Sequence, residues 1–135
     1  MKELTLDATI DNLDEVLSFV DQELELADCS PKTQMQIDVA VEELFANICN
    51  YAYAPGKGSM TLQVELREAP SRVEICFIDH GTPYNPLAKE DPDVTLSAED
   101  RPIGGLGIYI VKKNMDKVCY DYQDRQNILT ISKGI

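Results

Sequence analysis

The sequence predicts a single α+β domain in which helices pack on one face of a β-sheet. Segments of alternating apolar and polar residues, typical of strands, are grouped apart from segments with helical periodicity. Their order is strand, helix, helix, two strands, a long loop, helix and two strands, which favours α+β over an alternating α/β fold. The chain has 135 residues, 44% of them hydrophobic, and so suits one domain over residues 1–135.

The first half of the chain carries clear start and stop signals. "KELTLDAT" alternates at period two and predicts a strand. We expect a helix over residues 12–27, with Asp11 as its N-cap, and a second helix with Ser30 as N-cap and Pro31 in the first helical position. The second helix should run to about residue 53, where "APGKG" ends it. The apolar stripe of the first helix is Leu13, Val16, Leu17, Val20 and Leu24.

The second half predicts two hairpins and a loop between them. "SMTLQVELRE" and "SRVEICFIDH" are strand-like and separated by a short turn, which favours an antiparallel hairpin. Residues 81–105 contain four prolines and five acidic residues, and an irregular segment of that length is typical of a lid or a binding loop. A helix over about residues 106–115 and a closing hairpin around "QDRQN" follow.

The charge of the chain restricts its ligands. Twenty-four acidic and twelve basic side chains give a formal net charge of -12, which repels nucleic acid and anionic lipid. An anionic small ligand would need local positive potential from a metal ion, a helix N-terminus or a few placed cations. No apolar run reaches the length of a membrane span and the N-terminus lacks a secretory apolar segment, so we expect a cytoplasmic protein.

The cysteines and the single histidine point to no metal or triad chemistry. The four cysteines are scattered without C-x-x-C spacing, and we expect buried free thiols. His80 is the only histidine, and its neighbours do not suggest a nucleophile with a base.

Glu43 and Asn47 form the first candidate motif, within "VEELFANICNYAY". Spaced four apart, they share a helix face that differs from the core stripe of Ile37, Val41, Leu44, Ile48 and Ala52. A carboxylate and a carboxamide one turn apart suit a general base beside an oxygen ligand for Mg²⁺, although a solvated helix face gives the same pattern. Glu42 competes with Glu43 on sequence alone, and its position near the edge of the core stripe argues against it.

Two further motifs involve glycine. Asp79 and Gly81 end an apolar strand, where an acceptor-only carboxylate would suit a planar heterocycle with an exocyclic amine; a plain turn is the alternative. In "GGLGIYIVKK", glycines precede a helix and leave its first N–H groups open to an anion, although a simple bend is again possible. The spacing fits neither a Rossmann fingerprint nor a P-loop.

Taken in order, the three motifs resemble the GHKL ATPase family, which includes gyrase and histidine kinases. "AVEELFANICNYAY", "DHGTPYNP" and "GGLGIYIVKKNMDKVCY" are most similar to its anti-sigma factor serine/threonine kinase branch. The resemblance implies a two-layer α/β sandwich, with a mixed, mostly antiparallel sheet covered on one face by three helices. It also implies ATP and Mg²⁺ as cofactors.

The same resemblance assigns roles to individual residues. Glu43 would be the catalytic base, Asn47 the Mg²⁺ ligand and Asp79 the acceptor of the adenine amino group, while Gly81 would admit the ring. Residues 89–105 would form the ATP lid. The other nucleotide-binding residues implied are Tyr84, Asn85, Gly104, Gly105, Leu106, Gly107 and Ile108.

The resemblance implies a protein kinase that holds a sigma factor or similar regulator and phosphorylates a small antagonist protein. Some members carry an arginine directly before the glycine pair, where Ile103 stands here, and Arg101 lies two residues earlier. Loss of positive charge at the transferred phosphoryl group lowers the rate more than binding. The alternative is therefore a nucleotide-gated interaction module without phosphotransfer, and a third is an α+β protein that binds no nucleotide.

Two other expectations concern partners. A histidine kinase is disfavoured because no separate acceptor helix with a histidine is present, so the phosphoryl acceptor should be another protein. The branch is usually dimeric, and the strand "KELTLDA" would either pair with a second copy or complete the sheet of its own chain.

Overall fold

A computed structural model describes residues 1–68, 71–88 and 106–135 of the chain. These residues form one antiparallel sheet with helices on one side. The strands are β1 (Lys2–Asp7), β2 (Ser59–Arg67), β3 (Arg72–Asp79), β4 (Lys117–Gln123) and β5 (Gln126–Gly134), in the spatial order β1-β2-β3-β5-β4. The α-helices are α1 (Leu13–Leu26), α2 (Pro31–Asn47) and α3 (Leu106–Asn114).

The predicted α+β architecture is confirmed, with one correction. Every pair of neighbouring strands among the described residues is antiparallel, so the expected mixed sheet is wrong. Each of the two hairpins joins adjacent strands directly, and β1 and β5 also run opposite to their neighbours. β1 pairs with β2 of its own chain and lies at one edge of the sheet, so the N-terminal strand completes this sheet.

The core lies between the sheet and the helices. Alternate residues of the strands are buried, and cross-strand partners such as Leu62, Phe77 and Leu129 share the covered face. The helices contribute the opposite half of the core: Val16, Val20, Leu24, Ile37, Val41, Leu44, Phe45, Ile108 and Val111. The predicted apolar stripes of α1 and α2 therefore face the sheet. Among the described residues no helix has the length and apolar content needed to cross a membrane.

The helix starts differ in how well the sequence predicted them. Thr33 N donates to Ser30 Oγ at 3.3 Å and Pro31 opens α2, as predicted. The predicted Asp11 cap is wrong, because a 3₁₀ turn over Ile10–Asn12 precedes α1 and contains Asp11. Asn12 Nδ2 instead donates to Asp7 O at 2.9 Å and ties the helix entry to the end of β1.

The end of α2 changes its winding. Residues Ile48–Ala52 form a π-helix, here called the π turn, so the helical segment ends near residue 53 as predicted. Tyr53 anchors it: the Tyr53 hydroxyl donates to Ser59 O at 2.6 Å and accepts from His80 N at 2.7 Å. One phenol thereby joins the π turn to the start of β2 and the end of β3. π-Bulges are frequent at functional sites.

Both predicted hairpins form. The β4–β5 turn has positive φ at both central residues, 54° at Asp124 and 62° at Arg125, which is the backbone of a type I′ turn. The four cysteines are free, as predicted, but Cys29, Cys49 and Cys76 are half-buried and Cys119 is exposed. Cys119 lies on the outer face of the edge strand β4, opposite the face on which the described helices pack.

An unusual carboxyl pair links α1 to α2. Oδ1 of Asp21 and Oδ1 of Asp38 are buried, and no N–H or O–H group elsewhere in the described residues donates to either oxygen. Burial, a side-chain hydrogen bond with Asp21 and the Asp21 charge together raise the pKa of Asp38 to about 8. Burial and the Asp38 charge also raise the pKa of Cys29. Two adjacent carboxyl groups that share one proton avoid the repulsion of two charges.

This pair predicts a pH dependence of stability. Because the folded state retains a proton that the unfolded state releases near pH 4, the free energy of unfolding should fall as pH rises from about 4 to about 8. Asp38→Asn should remove this component and be relatively most stabilising above pH 8. Urea unfolding at several pH values measures it, with Asp14→Asn on the exposed side of α1 as control. Parallel pH profiles for wild type and Asp38→Asn would contradict the assignment.

Candidate functional site

A cleft opens between the end of α2, the end of β3 and the loop that follows β3. It has about 450 Å³ of empty space, its open mouth included. Asn47 and Tyr51 line the helical wall, Asp79 and Asn127 lie on the strand side, and Tyr84 lines the loop wall. Three of the residues predicted from sequence, Asn47, Asp79 and Tyr84, therefore meet in one cleft.

Asp79 is an acidic residue of the cleft lining whose side chain is held in place by two hydrogen bonds. Its side chain is 4% exposed, and Oδ1 accepts from Gly81 N and from Asn127 Nδ2, both at 2.9 Å. No hydrogen bond from the described residues reaches Oδ2. A buried carboxylate with one oxygen held and the other unoccupied is suited to accept a hydrogen bond from a ligand in the cleft.

Asn127, which the sequence reasoning missed, organises this side of the cleft. It is 6% exposed and is the register partner of Asp79 across β3 and β5. Its Nδ2 also donates to Thr82 O at 3.0 Å, while its Oδ1 accepts from Tyr84 N at 3.2 Å and from the Tyr120 hydroxyl. The available signal was its alternation with Leu129 and Ile131, which puts an amide on the buried face of β5.

Two tyrosines around the cleft are perturbed by their surroundings. Burial raises the pKa of Tyr120, outweighing a hydrogen bond from the Tyr84 backbone that lowers it, and the charge of Asp79 raises it further. Burial likewise raises the pKa of Tyr53, against the hydrogen bond from the His80 backbone. Both hydroxyls therefore remain neutral near pH 7 and can donate hydrogen bonds.

Packing requires a glycine at position 81, which the sequence did not reveal. A Cβ atom at this position would overlap the backbone carbonyl of Ala52 in the π turn. The same carbonyl accepts from Thr82 N at 2.9 Å. The glycine therefore lets the loop after β3 lie directly against the end of α2, which brings the two walls of the cleft together.

Glu43 lies one turn before Asn47 and faces α3. Its half-buried carboxylate is so close to Gly107 that a methyl group there would overlap Glu43 Oε2. Gly107 is the second residue of α3, and a carboxylate in the first turn of a helix is favoured by the helix dipole. Glu42 is exposed and lines a separate groove with Met35 and Asp38, away from the cleft.

The remaining predicted site residues have other positions. Asn85 accepts from Leu87 N at 2.9 Å through Oδ1 and so caps the short 3₁₀ turn Pro86–Ala88. The Ile108 side chain is 7% exposed and belongs to the core, and Leu106 begins α3. Gly104, Gly105, Ile103, Arg101 and the predicted lid over residues 89–105 lie outside the described residues.

The predicted Mg²⁺ ligand, Asn47, lies in the wall of the cleft. Asn47 lines the cleft with a hard carboxamide oxygen of the kind Mg²⁺ accepts. No group of three or more His, Cys, Asp or Glu side chains in the described part of the chain could hold a metal by itself. Asn47 by itself fits a metal bound by one protein oxygen together with ligand oxygens and water, which is common for Mg²⁺.

Comparison with known proteins identifies the family. The family described as "Histidine kinase-like ATPase domain" matches residues 6–133. The chain therefore belongs to the histidine kinase-like ATPase domain family.

Two proteins with similar sequences are named kinases. The serine/threonine-protein kinase BtrW of Bordetella bronchiseptica is 25% identical over 103 residues, which cover 76% of this chain and 72% of that protein. The serine-protein kinase RsbW of Bacillus mycoides is 30% identical over 95 residues, which cover 67% of this chain and 58% of that protein. The alignment thus spans little more than half the length of the Bacillus relative.

A solved structure shares the fold. The RsbU and RsbW domains of Rv1364c from Mycobacterium tuberculosis match with a TM-score of 0.67 at 16% identity, covering 99% of this chain and 32% of that one. At this identity, the likeness shows the fold.

The hydrogen-bonding of Asn127 gives a first prediction for the site. Replacing it by leucine would remove the amide that bonds to Tyr84 N and Thr82 O, and with it one of the two donors to Asp79. We expect Asn127→Leu to lower the free energy of unfolding by about 2 to 4 kcal/mol. Asn50→Leu, at an exposed position of the π turn, is the matched control. Equal urea midpoints for the two variants would show that the amide network contributes nothing.

Proposed function

We propose that this protein is an ATP-dependent serine/threonine protein kinase of the anti-sigma type. The observation that carries the proposal is the Asp79–Asn127 pair, which engages Asp79 Oδ1 and leaves Oδ2 without a hydrogen bond from the described residues, in a cleft that Asn47 also lines. Membership of the histidine kinase-like ATPase domain family and the named kinases among its relatives support the nucleotide and the reaction.

Adenine would enter the cleft with its amino group toward Asp79 Oδ2. Because Oδ1 is already engaged by two donors, the free oxygen has a fixed direction and selects a donor on the base. Leu44, Ile48, Phe77 and Leu129 supply apolar lining around it. A planar heterocycle would thus replace water against apolar side chains while one edge remains hydrogen-bonded.

Magnesium would be held by Asn47 through its side-chain oxygen. When bound, the ion would neutralise charge on the phosphates, which a chain with a net charge of -12 otherwise repels. The first turn of α3, with Leu106, Gly107 and Ile108, would offer backbone N–H groups to the same phosphates. We extend this phosphate-binding role to Gly104 and Gly105 from the sequence resemblance.

Glu43 would act as general base toward the hydroxyl of a serine or threonine. It stands one helical turn from Asn47 and beside the start of α3, between the proposed metal ligand and the proposed phosphate-binding turn. A carboxylate there can accept the hydroxyl proton as the phosphoryl group transfers. The glycine at position 107 leaves room for this carboxylate beside the first turn of α3.

The acceptor and the regulated partner are proposed from the resemblance and the names of the relatives. We propose that a small antagonist protein receives the phosphoryl group and that the kinase holds a sigma factor or similar regulator in the cytoplasm. A homodimer is part of the same proposal. β1 leaves one edge of the sheet unpaired among the described residues, which is compatible with pairing to a second copy.

The second candidate function is a nucleotide-gated interaction module without phosphotransfer. It is favoured by Ile103, which stands where some kinases of this branch have an arginine directly before the glycine pair. Positive charge at the transferred phosphoryl group stabilises the transition state, so its loss affects transfer more than binding. Both functions include ATP binding, and only the first includes transfer of the phosphoryl group to a protein.

Two variants separate binding from transfer. Asn47→Ala should abolish Mg²⁺-dependent ATP binding, because it removes the proposed metal ligand. Glu43→Gln should bind Mg-ATP within about twofold of wild type and lose transfer by roughly 100-fold or more. Calorimetry measures binding, and radiolabelled ATP with the antagonist protein measures transfer; Glu42→Gln is the control for the neighbouring carboxylate.

Each outcome has a defined meaning. Label on a serine or threonine of the antagonist excludes the module without transfer. ATP binding by wild type without label on any supplied antagonist favours it. Equal Mg-ATP affinity of wild type and Asn47→Ala would overturn the metal assignment.

A further inference from the structure

Tyr53 joins the helical wall of the cleft to the strand side, although it does not itself line the cleft. Its hydroxyl donates to Ser59 O at 2.6 Å and accepts from His80 N at 2.7 Å. Ser59 and His80 are the next residues beyond Met60 and Asp79, the last pair in register between β2 and β3 at this end. One phenol therefore holds the backbone directly after Asp79.

The ring of Tyr53 is held by packing. A Cβ atom at Gly58 would overlap the ring, so the ring lies directly against a glycine backbone. The half-buried side chain also packs against the core. Gly58 O in turn accepts from Ala8 N at 2.9 Å, which ties the same glycine to the residue after β1. Packing around the ring therefore restricts where the hydroxyl can lie.

The residue before Tyr53 makes a second contact with the segment that follows β3. Ala52 O accepts from Thr82 N at 2.9 Å, and Ala52 lies against Gly81. The contacts of Ala52 and Tyr53 with this segment are here called the junction. Because the π turn follows Asn47 directly, the junction sets the position of the helix end relative to the strand end.

A nucleoside triphosphate would have to span both sides of the junction. In the proposed function the base bonds to Asp79, whereas the phosphates meet the metal held by Asn47. A ligand that engages two subsites gains affinity only when the subsites are held at the span of the ligand. A single contact would let the two segments pivot, whereas the contacts of Ala52 and Tyr53 together fix their orientation.

We propose that Tyr53 is a positioning residue, which holds the base and phosphate subsites at the separation that one nucleoside triphosphate requires. This inference rests on the proposed nucleotide binding and gives a role to a side chain outside the cleft lining. Tyr53 acts through the backbone of Ser59 and His80 and does not touch the ligand.

The test compares one linked ligand with its two parts. Tyr53→Phe keeps the ring and removes the hydroxyl, so adenosine and Mg-tripolyphosphate should each bind within about twofold of wild type. ATP, which spans both subsites, should bind about 5- to 20-fold more weakly. Calorimetry measures ATP binding, and NMR titration measures the two parts. Tyr122→Phe, exposed on β4 and outside the cleft lining, is the matched control and should match wild type for all three ligands.

A loss of stability alone would not give this pattern. Each ligand binds the folded state, so a partly unfolded variant would bind all three more weakly by the same factor. Weakening of ATP without weakening of its parts therefore isolates the positioning role.

A measurement on the wild type keeps the test independent of the variant. Coupling between equilibria is reciprocal, so a ligand that needs the closed junction should protect the His80 amide, which donates to the Tyr53 hydroxyl. Hydrogen exchange of this amide should slow by about 5- to 20-fold with ATP, and by less with adenosine or Mg-tripolyphosphate alone.

The outcomes separate this inference from the proposed function. Unchanged ATP affinity in Tyr53→Phe, or equal weakening of all three ligands, would overturn the positioning role and leave the nucleotide site standing. Equal protection of the His80 amide by ATP and by either part would do the same. If the wild type binds neither adenosine nor Mg-ATP, the proposed function and this inference both fall.

Discussion

The hydrogen-bonded pair of Asp79 and Asn127 is the constraint on which the cleft depends. The two residues are opposite each other on β3 and β5, and both side chains point to the buried side of the sheet. A buried carboxylate is costly unless donors hold it, and here Asn127 and Gly81 N supply them. Because the same amide also bonds to the backbone at Thr82 and Tyr84, one side chain fixes both the polar floor and the loop wall.

The helical wall is brought to this floor by the π turn. The winding change directly after Asn47 puts Ala52 against Gly81, and the Tyr53 hydroxyl bridges β2 and β3. The proposed base Glu43 and the proposed metal ligand Asn47 thus lie on α2 directly before the π turn. Their separation from Asp79 is set by backbone contacts, which are stiffer than contacts between flexible side chains. Binding and chemistry would accordingly share one rigid frame.

Local signals in the sequence were sufficient for most of the fold. Ser30 and Pro31 predicted the start of α2 because capping depends on neighbouring residues only. The Asp11 cap failed because hydrogen bonding of Asn12 to β1, a tertiary contact, favours a 3₁₀ entry. The mixed sheet was implied by resemblance, whereas strand direction is set by long-range pairing that period-two patterns do not encode.

The candidate site was predictable only in part, for a similar reason. Motif spacing indicated Asn47 and Asp79, since each lies in a recognisable local pattern. Asn127 is a single polar residue in an apolar strand, and its role depends on register with β3. Periodicity places Tyr51 in a helical segment and does not distinguish a π turn from an α-helix. The contacts of both residues cross the sheet or the cleft, so no local sequence pattern predicts them.

We propose that Asp79 binds the nucleobase through Oδ2, because Gly81 N and Asn127 Nδ2 already donate to Oδ1. In Asp79→Asn, the two donors to Oδ1 should hold the carboxamide oxygen there and direct its NH₂ group into the cleft. Calorimetric titration with ATP and inosine triphosphate, which has a carbonyl oxygen in place of the amino group, tests this directly. Wild type should prefer ATP by at least about 10-fold, and Asp79→Asn should reverse the order. The same ATP preference in both proteins would contradict the account.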